Sequence, residues 1–397
     1  MAVRGVFASH NSIMGDRIGD LSSRVLMLGY TGSAPMLALS SGMPKESAAD
    51  TAFNWTEDQH ISGNTLKNGT QNSAATVLAV DDTSIWAKNS IVMNQTTGEY
   101  VFVVSVDSST QITVLRGIGG TTAQQMTDND VLQSVGTAFE EGGGKPESVT
   151  QRGETRTNYT QIFKNGWAIT GTAKAVKFHT GSQLAYNRSN ALGYHVEDIE
   201  RAFLFGRPGV MVNGGKQLRM SGGIDYHIRT FGGLVTPANA GGAGQMNMDG
   251  VRHFMRLVFD RNVKGLPNER IAFTGSAVLE LIQQMIQKDG MYQIHAEDTK
   301  YGIKIWKLQG FNGDLTLATH PLFTENSIWG HQLLVVHPGL VKKRVLRDTW
   351  EETFNSNNMN NNGIDAEEGY IALETGFQVS AVETMGIMTN IQTAVAS

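Results

Sequence analysis

Side chains able to do chemistry are present along this chain, but none stand in a pattern that chemistry requires. Ten histidines are spread over the 397 residues. Their closest pair, His331 and His337, brackets one apolar run and lacks the short spacing of paired metal ligands. With no cysteine at all, a thiol nucleophile, a thiolate site and a disulfide are excluded. Gly144-Lys145 leads into Pro146 and Gly215-Lys216 into Gln217, and neither has the upstream glycine of a nucleotide-binding loop. Arg116-Gly117-Ile118-Gly119-Gly120 is glycine-rich, yet it follows a hairpin strand and opens no helix, so it does not read as a phosphate cradle. Neither G-x-S-x-G nor H-E-x-x-H occurs, and no two carboxylates are marked out as an acid/base pair. No catalytic, cofactor-binding or metal-binding residue is assigned, no cofactor is implied, and an enzyme is the least favoured class.

Composition points the same way. A chain this long can bury a sizeable core and hold two or three domains. Its net charge of −5 argues against a histone-like nucleic-acid binder, which would be strongly basic. No basic-then-apolar leader opens the chain, and no apolar run approaches the roughly 18 residues of a membrane span. The triplets Asn54-Trp55-Thr56 and Asn158-Tyr159-Thr160 therefore have no secretory context and are given no role.

The elements that must position whatever the chain does are organised around residues 156–208. The first half is a strand, rich in the β-branched and aromatic types that suit a pleated surface: Thr157, Tyr159, Ile162, Phe163, Trp167 and Ile169. The second half predicts a long helix with Leu184, Leu192, Val196, Ile199 and Phe203 as its apolar stripe. Thr180 or Ser182 caps it, Glu197 pairs with Arg201 at i,i+4, and Gly206 with Pro208 ends it.

The run RTNYTQIF, then AITGTAKAV, then a helix ending EDIERAFLFG, resembles the major capsid proteins of tailed bacteriophages, which share the Hong Kong 97-type fold. PKESAADTAFNWTED and GYIALETGFQVSAVETMGIM agree with it, so the resemblance spans roughly residues 53–391. It implies an α+β fold in which an extended E-loop returns along a strand into a long spine helix. Residues 1–60 become an N-terminal arm, with Phe53 and Trp55 docking it on the body. Residues 61–139, with turn-punctuated strands at 76–80, 91–94, 99–106, 111–115 and 131–135, become a small β-barrel or sandwich inserted at the E-loop base. In it the consecutive Val101, Phe102, Val103 and Val104 predict a strand covered on both faces, one by the module's own core and the other by a neighbouring subunit or a decoration protein.

The remaining boundaries follow. Residues 140–180 are the mixed-charge E-loop and its return strand, 181–207 the spine helix, and 208–270 a peripheral-domain segment and connector. Within the last, 218–230 reads as loop and strand, and a helix follows with Asp249 as N-cap and Val251, Phe254, Met255 and Val258 on one face. Residues 271–354 form an axial domain, with strands at 271–274, 302–308, 315–319 and 332–337 and a helix carrying Val278, Leu281, Ile282 and Met285. Residues 355–397 supply an Asn-rich loop and the closing peripheral strands.

The function expected from the resemblance is structural. Copies assemble into pentamers and hexamers that close as a virion shell around double-stranded DNA, held without sequence-specific or membrane contacts and built in the host bacterial cytoplasm. Burial at many weak interfaces adds avidity. A separate scaffolding protein, a portal and a decoration protein are the expected partners. Some members cross-link subunits through a Lys–Asn bond; no residues match here by motif, and none are assigned. The alternative is an adhesive or carbohydrate-binding virion protein, such as a decoration protein or tail fibre, suggested by the Ser/Thr-rich β-module.

Overall fold

The computed structural model describes residues 43–58, 63–146, 153–178, 181–238, 247–289, 295–300, 303–310, 312–325, 328–354 and 365–391. The arm before residue 43, Thr180 as a cap, residues 239–246 of the 231–246 connector and the 355–363 loop lie outside them. Contacts divide the chain into a body, residues up to 55 and from 157 onward, and a second unit, 56–156. Strands β1 (Lys45–Ser47) and β2 (Ala52–Glu57) precede the second unit. Phe53 and Trp55 on β2 are buried with their rings stacked at 6.1 Å.

Six antiparallel strands make the second unit: β3 (Asn64–Leu66), β4 (Val77–Ala79), β5 (Ser90–Asn94), β6 (Tyr100–Ser108), β7 (Gln111–Leu115) and β8 (Val131–Thr137). Their order is β3-β8-β5-β6-β7-β4, and the two outer strands meet. Asn68 N–H donates to Ala79 O and Asp81 N–H to Leu66 O, each at 3.0 Å, so the sheet closes on itself and leaves no long open edge. Leu78, Val92, Val101, Val103, Ile112, Val114 and Leu132 fill the interior. Of the consecutive apolar residues on β6, Val101 and Val103 point into this interior, while Phe102 is half-buried and Val104 is 43% exposed on the outward face, the one expected to meet a partner.

In the body, β9 (Glu154–Tyr159) pairs with β2, and β10 (Gln161–Thr170) runs on into a one-turn helix α1 (Gly171–Ala175) and the 23-residue helix α2 (Gln183–Phe205). Ser182 caps α2, its Oγ accepting from Ala185 N–H at 3.4 Å. At the other end Gly206 approaches Ala202 O and Ser221 O so closely that a Cβ would lie 2.4 and 2.5 Å from them. The Glu197–Arg201 pair forms.

The buried face of α2 is Ala191, His195, Ile199, Glu200, Phe203 and Leu204. Leu192 is instead 49% exposed. The expected stripe followed hydrophobicity and passed over Ala191 and His195, which lie on the i,i+4 row through Ile199, and Glu200, one i,i+4 step before Leu204 on the adjacent row.

After α2 comes a hairpin, β11 (Gly209–Asn213) and β12 (Lys216–Met220), then helix α3 (Ile224–Thr230), where a loop and strand were expected, and β13 (Leu234–Pro237). Helix α4 (Met248–Phe259) is capped by Asn247, not Asp249: Asn247 Oδ1 accepts from Gly250 N–H at 2.7 Å, and Asp249 sits in the first turn. Both residues suit a cap by type, and only the backbone at Asn247 is extended. The chain continues through β14 (Glu269–Thr274), α5 (Ser276–Asp289), β15 (His295–Lys300), β16 (Ile303–Gln309), β17 (Asp314–Thr319), the short α6 (Pro321–Glu325), β18 (Leu333–Val336), β19 (Val341–Phe354), β20 (Ala366–Val379) and β21 (Gly386–Thr389).

Two sheets organise these. One has the order β1-β19-β20-β10; the other is mixed, β13-β21-β18-β14-β17-β16-β15. The second separates two cores. Phe273, Ala318, Leu334, Val336 and Ile387 belong to the core containing Ile199, Phe203 and Phe377. Their neighbours Ala272, Leu317, Leu333, Val335 and Met388 belong to the core of α4 and α5, with Val251, Phe254, Val258, Val278 and Ile282. Period-two alternation thus feeds both cores from single strands, and the nearly continuous apolar run 332–337 is interior because both its faces are covered.

Candidate functional site

The densest polar construction in the body joins the return strand to the region beyond the long helix. Asn158 on β9 is fully buried. Its Nδ2 donates to Phe377 O at 2.6 Å and Gly222 O at 3.0 Å, and its Oδ1 accepts from the N–H groups of Gly222 and Tyr159, both at 2.8 Å. One amide therefore ties β9, the segment before α3 and β20 together. Gln161 Oε1 accepts from Ser221 N–H at 3.0 Å, and Thr160 N–H donates to Thr51 O at 2.8 Å. Beside them Glu374 lies between two guanidinium groups, Arg347 at 2.6 Å and Arg219 at 3.0 Å. Charge-assisted bonds of this kind are worth more than neutral ones, and their geometry fixes the return strand to within a hydrogen-bond length.

A second polar set lies under α2. His195 Nδ1 is 2.8 Å from Asn165 Oδ1 on β10, and Glu200 Oε1 is 3.5 Å from His320 Nε2. Burial lowers the pKa of His195, and the charge of Lys343 adds to the effect. Lys343 is itself lowered by burial, with Lys45 beside it. These groups fasten the helix to the sheet; among the described residues no three His, Asp or Glu side chains come together as a metal site.

The residues weighed for chemistry turn out to be framework. His337 is buried, its Nδ1 accepts from Gly339 N–H at 3.2 Å, and burial and Arg270 push its pKa down to about 4. His331 stands at the other end of β18, in the short helical turn Trp329–His331, and the two are not brought together. Arg116 turns away from any phosphate role. It grips the buried Glu99 through two bonds of 2.7 Å and also donates to Ala75 O at 3.1 Å. Gly117 N–H donates to Glu99 as well, at 3.2 Å. Burial works against the Glu99 carboxylate, but Arg116 and the N–H groups of Gln124 and Gly117 outweigh it and hold its pKa below the usual range. The sequence reading missed Asn158, Glu374, His195 and Glu200. Asn158 was visible only as a glycosylation-type triplet; a polar residue inside a β-branched run was the signal that could have marked it.

What the body presents outward is apolar at several points: Ile162 on β10, Val176 and Phe178 beyond α1, and Leu192 and Tyr194 on α2 are all exposed. An extended strand tied by buried amides to its surroundings, beside a long helix whose outer face is left partly apolar, is a framework suited to contacts. A model of the SU10 major capsid protein family matches residues 6–392. The chain belongs to the SU10 major capsid protein family. The major capsid protein of Pseudomonas phage PaMx41 is 26% identical over 380 residues, which cover 91% of this chain and 90% of that one. Among solved structures, the capsid of a native GTA particle aligns with 98% of this chain and 100% of its own at a TM-score of 0.52 and 9% identity, a likeness of fold alone. The capsid of Myoviridae phage XM1 aligns with 98% of this chain and 100% of its own at 0.47 and 9%. This capsid protein has the Hong Kong 97-type fold, and its function is that of a tailed-phage major capsid protein, forming the shell of the virion.

Proposed function

We propose that copies of this capsid protein group into pentamers and hexamers around double-stranded DNA, each E-loop lying over a neighbour and each N-terminal arm strapping another. The observation that carries this is the set of exposed apolar side chains Ile162 on the return strand, Val176 and Phe178 beyond α1, and Leu192 and Tyr194 on the long helix. Large apolar side chains left exposed at several points on one framework fit a surface that is covered on assembly. On the same reading, assembly takes place in the host cytoplasm and is guided by a separate scaffolding protein, with a portal at one vertex.

Residues 56–156 act as an inserted β-domain on the outer surface of the shell, meeting a neighbouring subunit or a decoration protein. A cleft of about 430 Å³ supports this, lined by Phe102, Phe139, Lys88 and Lys145 among others. So does the open face of β6. Electron microscopy of the full chain, expressed alone and together with the other head proteins, tests the proposal. Pentamers and hexamers in uniform shells are expected only in the combined expression. Uniform shells from the chain alone remove the scaffolding protein, and particles without capsomers overturn the reading.

A further inference from the structure

The chain holds five Asn-Gly steps: Asn68-Gly69, Asn165-Gly166, Asn213-Gly214, Asn312-Gly313 and Asn362-Gly363. Each carries a latent reaction. Glycine has no side chain to shield its backbone nitrogen, which can attack the carboxamide carbon of the asparagine before it. The last step lies outside the described residues. The other four share the same two residues, so the fold decides which of them reacts.

Three are restrained. Gly69 N–H donates to Asp128 Oδ1 at 2.7 Å, and Lys67 Nζ donates to Asn68 O at 2.7 Å and to Gly69 O at 3.0 Å. Freeing that nitrogen breaks a bond to a carboxylate, one of the stronger kinds. Asn165 stands inside the ladder of β10 with β20. Its carboxamide is held by His195 Nδ1 at 2.8 Å and donates to Asp198 Oδ2 at 2.7 Å. Asn312 O accepts from Asn268 Nδ2, and a Cβ added at Gly313 would collide with Asn268 O and the Phe259 ring. That peptide has no room to turn.

Asn213-Gly214 is free. The step lies at the tip of the β11–β12 hairpin, and both residues are exposed. Neither the Asn213 carboxamide nor the Gly214 N–H has a hydrogen-bond partner among the described residues. Gly214 and Gly215 have φ of 57° and 76°, the left-handed pair of a tight two-residue turn. A Cβ added at either would meet nothing within 4 Å, so the peptide can rotate into the attacking geometry on which such ring closures depend. Asn213 is paired in register with Lys216, and directly opposed side chains share a face. An ammonium there favours the negative charge that builds on the carboxamide oxygen.

The structure assigns Asn213 as a site of self-modification. Hydroxide removes the Gly214 N–H proton, and the nitrogen bonds to Asn213 Cγ. The Cγ–Nδ2 bond breaks, and ammonia leaves with a proton from water, which restores the hydroxide. Water then opens the succinimide. Opening at Cγ gives aspartate; opening at the backbone carbonyl gives isoaspartate. The product sets a carboxylate opposite Lys216 and makes the copy one unit more negative than its −5. Isoaspartate also lengthens the backbone by one carbon where the turn sets the register. The reaction needs no partner and does not rest on the shell reading.

Peptide mapping by mass spectrometry tests it on the purified full chain, aged in mildly alkaline buffer. The peptide holding Asn213 should exchange NH2 for OH at least about tenfold faster than those holding Asn68, Asn165 and Asn312. In denaturing urea the four rates should converge, since only the fold separates them. Equal rates in the folded chain, or Asn213 behind any of the others, overturn the assignment. So does a gap that persists undiminished in urea. Isoaspartate must be among the products, because direct hydrolysis of the carboxamide gives aspartate only; aspartate alone overturns the attack by Gly214.

Discussion

Replacing Asn158 with leucine tests whether the buried amide sets the position of the return strand. Leucine has nearly the same branched outline, so packing changes little. Three buried groups lose the partner that Asn158 gave them: Gly222 N–H, Gly222 O and Phe377 O. Each such loss costs about 1–3 kcal/mol, so the variant should lose about 3–9 kcal/mol. That is a large share of the roughly 5–15 kcal/mol that holds a domain folded. At a urea dependence of about 3 kcal/mol per molar, the midpoint falls by about 1 M or more.

Asn158→Asp separates the two halves of the network. It keeps an acceptor for the Gly222 and Tyr159 N–H groups but sets a carboxylate oxygen against two carbonyls. Only the protonated acid can donate to one of them, so its folded-state pKa is raised. The deficit relative to wild type should therefore be smaller at pH 4 than at pH 7. Urea unfolding followed by tryptophan fluorescence measures both variants. A leucine variant within about 1 kcal/mol of wild type would refute the reasoning, because the network would then be incidental to the fold.

Ile199→Asp places an unpaired carboxylate in the buried face of α2 and should cost several kcal/mol; soluble, assembly-competent protein would show that face to be open. Arg116→Leu strands the buried Glu99 and should cost about 3–5 kcal/mol, read as protease sensitivity confined to residues 56–156, and an unchanged digestion pattern counts against it. His337 has its folded pKa depressed to about 4, so the unfolded chain binds more protons as pH falls below about 6.5, and stability is lost over that window. Between pH 7 and 5 the loss is about 2 kcal/mol. It should shrink in His337→Asn, which keeps an acceptor for Gly339 N–H and does not titrate; an identical pH slope in both proteins excludes His337 as the source.

What the sequence disclosed and what it hid divide along physical lines. The long helix, its serine cap and its glycine stop were legible because capping and termination are local. The strand positions between residues 76 and 135 were legible from turn residues, but the order of the sheet and its closure through Asn68 and Asp81 were not, since backbone hydrogen bonds leave no mark on side-chain pattern. The buried face of α2 was partly misread because His195 and Glu200 are paid for by Asn165 and His320, residues far away in the chain. Asn158 escaped for the same reason: its partners are backbone groups at 222 and 377. Helix α3 was missed because seven residues leave too few turns to show a period.

The mixed sheet between the two cores also works as a parity check. Along β14, Ala272 serves one compartment and Phe273 the other; along β18, Leu333 and Val335 alternate with Leu334 and Val336 in the same way. Sliding a strand by one residue exchanges every assignment at once. A phenylalanine ring would then be forced into the space of a methyl group, and a void would open on the far side. The two compartments thus reject the same error independently, one by crowding and one by emptiness. For a particle tiled from many identical subunits, that double veto keeps a misthreaded copy from passing as a tile.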